Sequence, residues 1–137
     1  MGPSSKGDAF ADEPWLSIQG DRNSHCVYAE WKGFANSSEF RSSSMRILEA
    51  VRTIGAGSLV SDNRRLEGVT DQDQMWIRDT WTPLAVESGL TRIAVVVPQR
   101  GLGRIATDQI LRQVGMKAFS TRTFSTVSEA MEWAAEA

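Results

Sequence analysis

Cysteine and histidine each occur once in the 137 residues, side by side as His25 and Cys26. One cysteine excludes an internal disulfide bond, and two residues fall short of the four ligands of a structural zinc site. Any Ser-His-Asp or Cys-His mechanism would depend on His25 alone. Because neighbours on a strand face opposite sides, we expect both residues to be structural. We therefore predict no metal, no cofactor and no enzymatic activity.

The sequence also lacks an excess of one charge and a long hydrophobic run. Lys and Arg number 15 and Asp and Glu number 17, so the formal net charge is -2. This balance argues against a nucleic-acid binder, which needs a positive field to displace counterions. There is no run of about 18 apolar residues and no signal-peptide core. We expect no integral membrane segment and a cytoplasmic location.

Turn and cap residues divide the chain into an arm and one folded domain. Residues 1–14 contain a single large apolar side chain, Phe10, and are predicted to be a flexible arm. The domain then spans residues 15–137. Its predicted elements are strands at 15–18 and 25–31, a helix after the capping box Asn36–Glu39, a strand at 58–61, a helix from 71, a strand at 92–97, a helix at 104–114, a strand at 118–124, and a helix capped by Ser125 or Thr126.

This element order, β-β-α-β-α-β-α-β-α, predicts an α/β domain. Helices that alternate with single strands require a mainly parallel sheet with right-handed crossovers. The first two strands, joined by the turn Gly20–Asn23, predict an N-terminal antiparallel hairpin. Residues 62–65 are predicted to form a polar loop. Pro83 is expected to kink the second helix, or to begin a new one with Thr82 as its cap.

Several segments in this order resemble the STAS fold (sulphate transporter and anti-sigma factor antagonist), most closely the SpoIIAA-like group of small bacterial proteins. They are Ser61–Arg64, Trp76–Ile77 with Trp81, Gly89–Val96 and Phe124–Trp133. The resemblance implies a single STAS-like domain over 15–137. It further implies either protein–protein regulation, as in anti-sigma factor antagonists, or binding of lipidic or other small ligands, as in the related CRAL-TRIO carriers.

Regulatory STAS domains carry a phosphorylatable serine in an Asp-Ser-Ser-Gly-like turn after the third strand. Here that turn is Ser61–Gly68 and lacks the Ser-Ser-Gly, although Ser61 lies close to the expected place. Asp62 invites comparison with receiver domains, which hold magnesium with further acidic residues after the first strand; Ser17–Gly20 supplies none. A phosphorylation switch at Ser61 or Asp62 is the alternative function. The structural interpretation of the same segment is that Asp62 or Asn63 hydrogen-bonds to the local backbone in a turn.

Four arginines follow two of the predicted parallel strands. They are Arg64, Arg65, Arg100 and Arg104. Ligands in open α/β sheets bind at the carboxyl ends of the strands, so we expect these side chains near one edge, beside a helix N-terminus. Guanidinium groups and free backbone amides there would bind phosphate or carboxylate. The structural alternative is a solvated surface on which the arginines balance nearby acidic residues.

Two of the five tryptophans, Trp76 and Trp81, share the helix that contains Pro83. A kinked aromatic helix can cover an apolar pocket, and with the arginines as its rim such a pocket would suit a fatty acid or phospholipid. Trp76 and Trp81 can instead fill the core, or form an exposed patch that binds a partner. An open hairpin edge favours a homodimer. We expect a non-enzymatic regulatory or binding domain that acts through a protein partner or a small amphiphilic, anionic ligand.

Overall fold

A computed structural model describes residues 7–114 and 118–136. Six strands form one mixed sheet in chain order, the first three antiparallel and the rest parallel. The strands are β1 (Gly7–Glu13), β2 (Leu16–Asp21), β3 (Cys26–Gly33), β4 (Ser58–Leu66), β5 (Arg92–Val96) and β6 (Ser120–Phe124). The helices are α1 (Ser37–Ile54), α2 (Asp71–Trp76), a π turn (Ile77–Trp81), α3 (Thr82–Glu87), α4 (Leu102–Val114) and α5 (Val127–Ala135). The predicted α/β class and the mainly parallel sheet are confirmed.

Strand β1 lies where the sequence predicts a flexible arm, so that prediction is wrong for residues 7–13; residues 1–6 lie outside the described part. The strand pairs with β2 by backbone hydrogen bonds, which a segment rich in small and acidic residues can still form. Phe10 packs against the core, and a Cβ added at Gly20 would lie 2.8 Å from the Phe10 ring. The predicted hairpin is therefore a three-stranded antiparallel unit.

Strand β4 is longer than predicted and includes the expected loop at 62–65. Asp62 pairs with Glu30 of β3, and Leu66 pairs with Gly33. The polar residues remain in the strand because β3 continues beside them and supplies hydrogen-bond partners. Alternation along β4 then separates Ser61 from Asp62, one on each face of the sheet.

Two hydrophobic clusters cover the two faces of the sheet. The larger cluster lies under α1, the π turn, α3 and α4, and the smaller cluster lies under α5. Val27, Ala29 and Trp31 face the larger cluster, whereas Cys26 and Tyr28 face the smaller one, as the predicted alternation requires. His25 is exposed and precedes β3 in a left-handed conformation (φ 53°), so it is a turn residue rather than a strand residue.

Helix α1 begins where the sequence predicts. The Asn36 side chain accepts a hydrogen bond from the Glu39 amide (2.8 Å), and Glu39 accepts one from the Asn36 amide (3.0 Å). Gly55 ends the helix in a left-handed conformation. No helix in the described ranges 7–114 and 118–136 is long and apolar enough to cross a bilayer.

Pro83 lies in the first turn of α3, whose N-cap is Trp81 rather than the predicted Thr82. Residues 71–87 are helical throughout, and the π turn immediately precedes α3. The Thr82 amide and hydroxyl both donate to the Ile77 carbonyl. A proline ring crowds the carbonyl four residues earlier, and the extra residue of a π turn accommodates the ring without ending the helix. This turn contributes Ile77 and Trp81 to the interior.

Candidate functional site

A cavity of about 100 Å³, partly open to the surface, lies between the sheet face of the larger cluster and its helices. Trp31, Phe40 and Trp81 form its aromatic wall. Aliphatic side chains from β4, β5, the π turn and α4 form most of the rest; they are Leu59, Leu66, Ile77, Ile93, Val95, Ile110 and Leu111, with Ile47 and Val69. The cavity is therefore predominantly apolar.

The aromatic wall is fixed by contacts among its own rings and with the backbone of α1. The Trp31 and Phe40 rings stack with centroids 5.0 Å apart. Trp81 is buried, and its indole Nε1 donates to the Ser44 carbonyl at 2.8 Å. Because that hydrogen bond uses the only polar atom of the indole, Trp81 offers the cavity an apolar surface.

A strip of three polar side chains that are hydrogen-bonded to one another interrupts the apolar lining, which also includes Ser44 and Thr121. Ser61 Oγ donates to Asn63 Oδ1 at 2.8 Å, and Asn63 Nδ2 donates to Thr107 Oγ1 at 3.2 Å. Asn63 is 8% exposed and Thr107 is 1% exposed. No charged side chain lines the cavity in the part of the chain that the structure describes. The strip can form hydrogen bonds with a ligand but offers no counter-charge.

The position of the strip depends on close packing of α4 against β4. Ser61 and Asn63 are two residues apart on β4 and so share a face of the sheet. Gly103 lies in the first turn of α4, where an added Cβ would be only 1.8 Å from the Leu66 carbonyl oxygen. Glycine therefore permits this approach. Thr107, one helical turn after Gly103, reaches Asn63 as a result.

Only one of the two predicted pocket tryptophans lines the cavity. Trp81 does, whereas Trp76 is partly buried at the edge of the core, with the Arg41 guanidinium 5.5 Å from its ring centroid. The Trp31 and Trp133 side chains are buried. The aromatic pair in the helix therefore does not act as a unit.

The four predicted arginines do not converge on the cavity. Arg64 is paired with Asp62, Arg65 lies 3.7 Å from Glu30, and Arg104 pairs with Asp108 at 3.1 Å. Arg100 is exposed in the loop before α4. Arg64 meets Asp62 on the α5 side of the sheet, whereas Arg104 belongs to α4 on the other side, so these two arginines lie on opposite faces.

Asp62 is held by its neighbours on the α5 side of the sheet. Its carboxylate is 1% exposed and accepts hydrogen bonds from Tyr28 Oη (2.6 Å), Arg64 Nε (2.9 Å) and Arg64 Nη2 (2.8 Å). Burial raises the pKa of Asp62, but the hydrogen bonds from Arg64 and Tyr28 outweigh burial and lower it. Burial and the bond to Asp62 raise the pKa of Tyr28. Both carboxylate oxygens thus have donors in the resting protein.

The other possible nucleophiles, the Ser61 hydroxyl and the Cys26 thiol, are hydrogen-bonded or buried. Ser61 faces the cavity and donates to Asn63 rather than standing free at a loop. Burial, reinforced by the charge of Asp21, raises the pKa of the Cys26 thiol to about 12. Among residues 7–114 and 118–136 there is no group of three His, Cys, Asp or Glu side chains that could hold a metal ion.

Sequence reasoning missed Phe40, Asn63 and Thr107 as cavity residues. Asn63 could have been found had β4 been extended through the polar segment, because it then shares a face with Ser61. Thr107 carries a weaker signal: it stands four residues after Gly103 on the apolar side of an amphipathic helix. Comparisons with protein-family models, curated proteins and solved structures found no match. Function is therefore inferred from the cavity.

Proposed function

We propose that this chain is a non-enzymatic binding domain whose interior cavity takes up a small, predominantly apolar, neutral molecule. The observation that carries the proposal is the cavity of about 100 Å³ lined by Trp31, Phe40 and Trp81, with a strip of hydroxyl and amide groups on β4 and α4. Cavities that bind small molecules are apolar with a few placed polar groups that set orientation. This one has both features.

The size of the cavity sets the size of the ligand. An engineered apolar cavity of about 150 Å³ accepts benzene. The volume here is about 100 Å³, which corresponds to a ligand of about four to six non-hydrogen atoms on the same scale. The long acyl chain of a fatty acid or phospholipid would exceed it. Volume therefore favours a small cyclic or branched molecule over a lipid.

The lining sets the charge of the ligand. A carboxylate or ammonium group in this cavity would lose its hydration without meeting an opposite charge, which costs several kcal/mol. Arg64, Arg65 and Arg104 are each close to an acidic side chain outside the cavity. The structure thus favours a neutral ligand over an anionic one.

The size of the ligand also limits the affinity. The best very small ligands gain about 1.5 kcal/mol per non-hydrogen atom, so a five-atom ligand cannot bind more tightly than the micromolar range. Binding should therefore be measured with probes at up to millimolar concentration.

The test is whether a cavity-filling substitution abolishes the binding of a small hydrocarbon. We expect methylenecyclopentane to shift the NMR signals of the Trp81 indole and of the Ile and Leu methyl groups in the cavity. Leu111→Phe places a larger side chain in the lining and should abolish the shifts. The matched control is Leu84→Phe, because Leu84 packs against the core but does not line the cavity. Absence of binding to the wild type, or equal binding to Leu111→Phe, would refute the proposal.

A second candidate function, self-association, is favoured by an exposed apolar patch. Phe34 is 57% exposed and Leu102 is 73% exposed. Phe34 follows Gly33, which pairs with Leu66, and Leu102 precedes Gly103, which abuts the Leu66 carbonyl. Both side chains thus flank the end of β4. Sedimentation of Phe34→Ser and Leu102→Ser against wild type tests this: a wild-type dimer weakened by both changes supports it, and a wild-type monomer at all concentrations removes it.

A further inference from the structure

We infer that the ligand of this cavity carries a neutral acceptor oxygen, such as that of a ketone, an ether or an ester, and that the oxygen binds at the Ser61–Asn63–Thr107 strip. The inference rests on the proposed function and specifies the chemical class of the ligand. Its basis is the number of hydrogen-bond donors and acceptors that the three side chains leave without a partner in a buried site.

Thr107 has a hydroxyl proton that no group in the described part of the chain accepts. Its Oγ1 receives the hydrogen bond from Asn63 Nδ2, and among residues 7–114 and 118–136 its own hydroxyl donates no hydrogen bond. The residue is 1% exposed and lines the cavity. A buried hydroxyl proton without an acceptor is costly, and a ligand oxygen at this position would remove the cost.

Reversing the Asn63 amide does not change the conclusion. If its oxygen and nitrogen exchange places, Thr107 donates to Asn63, Asn63 donates to Ser61, and the Ser61 hydroxyl proton becomes the free one. Asparagine links the two hydroxyl groups in either direction, so one terminal hydroxyl always points its proton away from the strip. In both arrangements the second Asn63 amide proton is also unused within the strip.

An acceptor in the ligand satisfies the strip better than a donor does. Each of the three side chains already takes part in at least one hydrogen bond, so the unused lone pairs belong to groups that are partly satisfied. Unpaired buried protons are rarer in proteins than unpaired lone pairs, because an oxygen with one hydrogen bond loses little by lacking a second. A ligand oxygen at the strip would leave the hydrocarbon part of the ligand against the apolar lining, which includes Trp81.

The test compares two probes of the same shape that differ in one atom group, cyclopentanone (C=O) and methylenecyclopentane (C=CH2). The variant Ser61→Ala/Asn63→Leu/Thr107→Val converts the strip to hydrocarbon and removes donors and acceptors together, so it leaves no polar group of the strip unpaired. We expect the ratio of cyclopentanone affinity to methylenecyclopentane affinity to fall roughly fivefold in this variant, since one hydrogen bond is lost. Methylenecyclopentane itself should bind the variant at least as well as it binds the wild type.

Thr121→Val is the matched control, because Thr121 also lines the cavity but takes no part in the strip. It should leave the affinity ratio unchanged, and the infrared carbonyl stretch of bound cyclopentanone should remain at the lowered frequency of a hydrogen-bonded ketone. An equal ratio in wild type and triple variant, or a ratio lost in Thr121→Val, would overturn the inference while leaving the cavity a binding site. Failure of both probes to bind the wild type would instead overturn the proposed function.

Discussion

Replacing Gly103 by alanine should destabilise the protein although alanine is the better helix former. The added Cβ would lie 1.8 Å from the Leu66 carbonyl oxygen and 3.0 Å from its carbonyl carbon. Both atoms belong to the backbone of β4, so no side-chain rotation relieves the contact and α4 must move away from the sheet. Overpacking of this kind costs about 3 kcal/mol, and the helix propensity of alanine returns about 1 kcal/mol. We expect a net loss of about 2 kcal/mol.

Urea unfolding followed by tryptophan fluorescence measures this loss, and thermal unfolding should show a midpoint lower by roughly 6–10 °C for a chain of this size. Gly68→Ala is the matched control, because a Cβ there meets nothing within 4 Å and the backbone is not left-handed. It should leave stability unchanged or raise it by up to about 1 kcal/mol. Equal stabilities for Gly103→Ala and wild type would show that α4 does not depend on this approach.

Three further predictions concern the cavity strip, the buried carboxylate and the thiol. Thr107→Val alone removes the acceptor of the Asn63 amide and should lower the free energy of unfolding by about 1 kcal/mol. The triple variant Ser61→Ala/Asn63→Leu/Thr107→Val leaves no donor unpaired and should stay closer to the wild type in stability. The reverse order of stabilities in urea titrations would contradict this assignment of donors and acceptors. Arg64→Met should cost about 1 kcal/mol at neutral pH, a figure discounted because the guanidinium is half exposed. Because folding lowers the pKa of Asp62 from 3.8, the ionised Asp62 carboxylate stabilises the folded protein above pH 3.8, and this stabilisation is lost as the pH falls through the pKa of the folded state. The decline in stability at acid pH should therefore be shallower in Arg64→Met. Identical declines in the variant and the wild type would refute this. Burial of Cys26 raises its pKa to about 12, so at pH 8 the native thiol should react with a thiol reagent far more slowly than the urea-unfolded chain does; equal rates would refute its burial.

Local signals predict much of the fold. The reciprocal hydrogen bonds of Asn36 and Glu39 and the left-handed Gly55 are local features of α1, and they are readable from residue type and spacing. The alternation of Val27 and Ala29 with Cys26 likewise assigns the two faces of β3. In both cases the residues that decide the structure are close together in sequence.

The parts that could not be predicted depend on distant partners. Residues 7–13 form a strand because β2 presents its edge, and 62–65 continue β4 because β3 lies alongside. The π turn compensates for Pro83 with a geometry that no residue in the turn specifies.

The candidate site follows the same rule. Trp81 is predicted from its place in the helix that contains Pro83, but Asn63 and Thr107 meet only because α4 packs close to β4. The partners of the arginines have a related origin, since Arg65 lies near Glu30 of the neighbouring strand, which residue spacing does not show. Contacts between residues on different strands and helices can be assigned only once the sheet is assembled.

The order of the strands has a consequence for how the chain folds. Each strand pairs with the one that precedes it in sequence, so the sheet can grow by short loop closures from its antiparallel end. Helix α5 is the exception: it returns to β4, where Ser58 Oγ donates to the Ala134 carbonyl 76 residues away, and Arg92 of β5 donates to the Trp133 carbonyl. Its docking closes the longest loop and covers Val60, Ala94 and Val96. Folding should thus proceed along the chain and finish when α5 seals the second face.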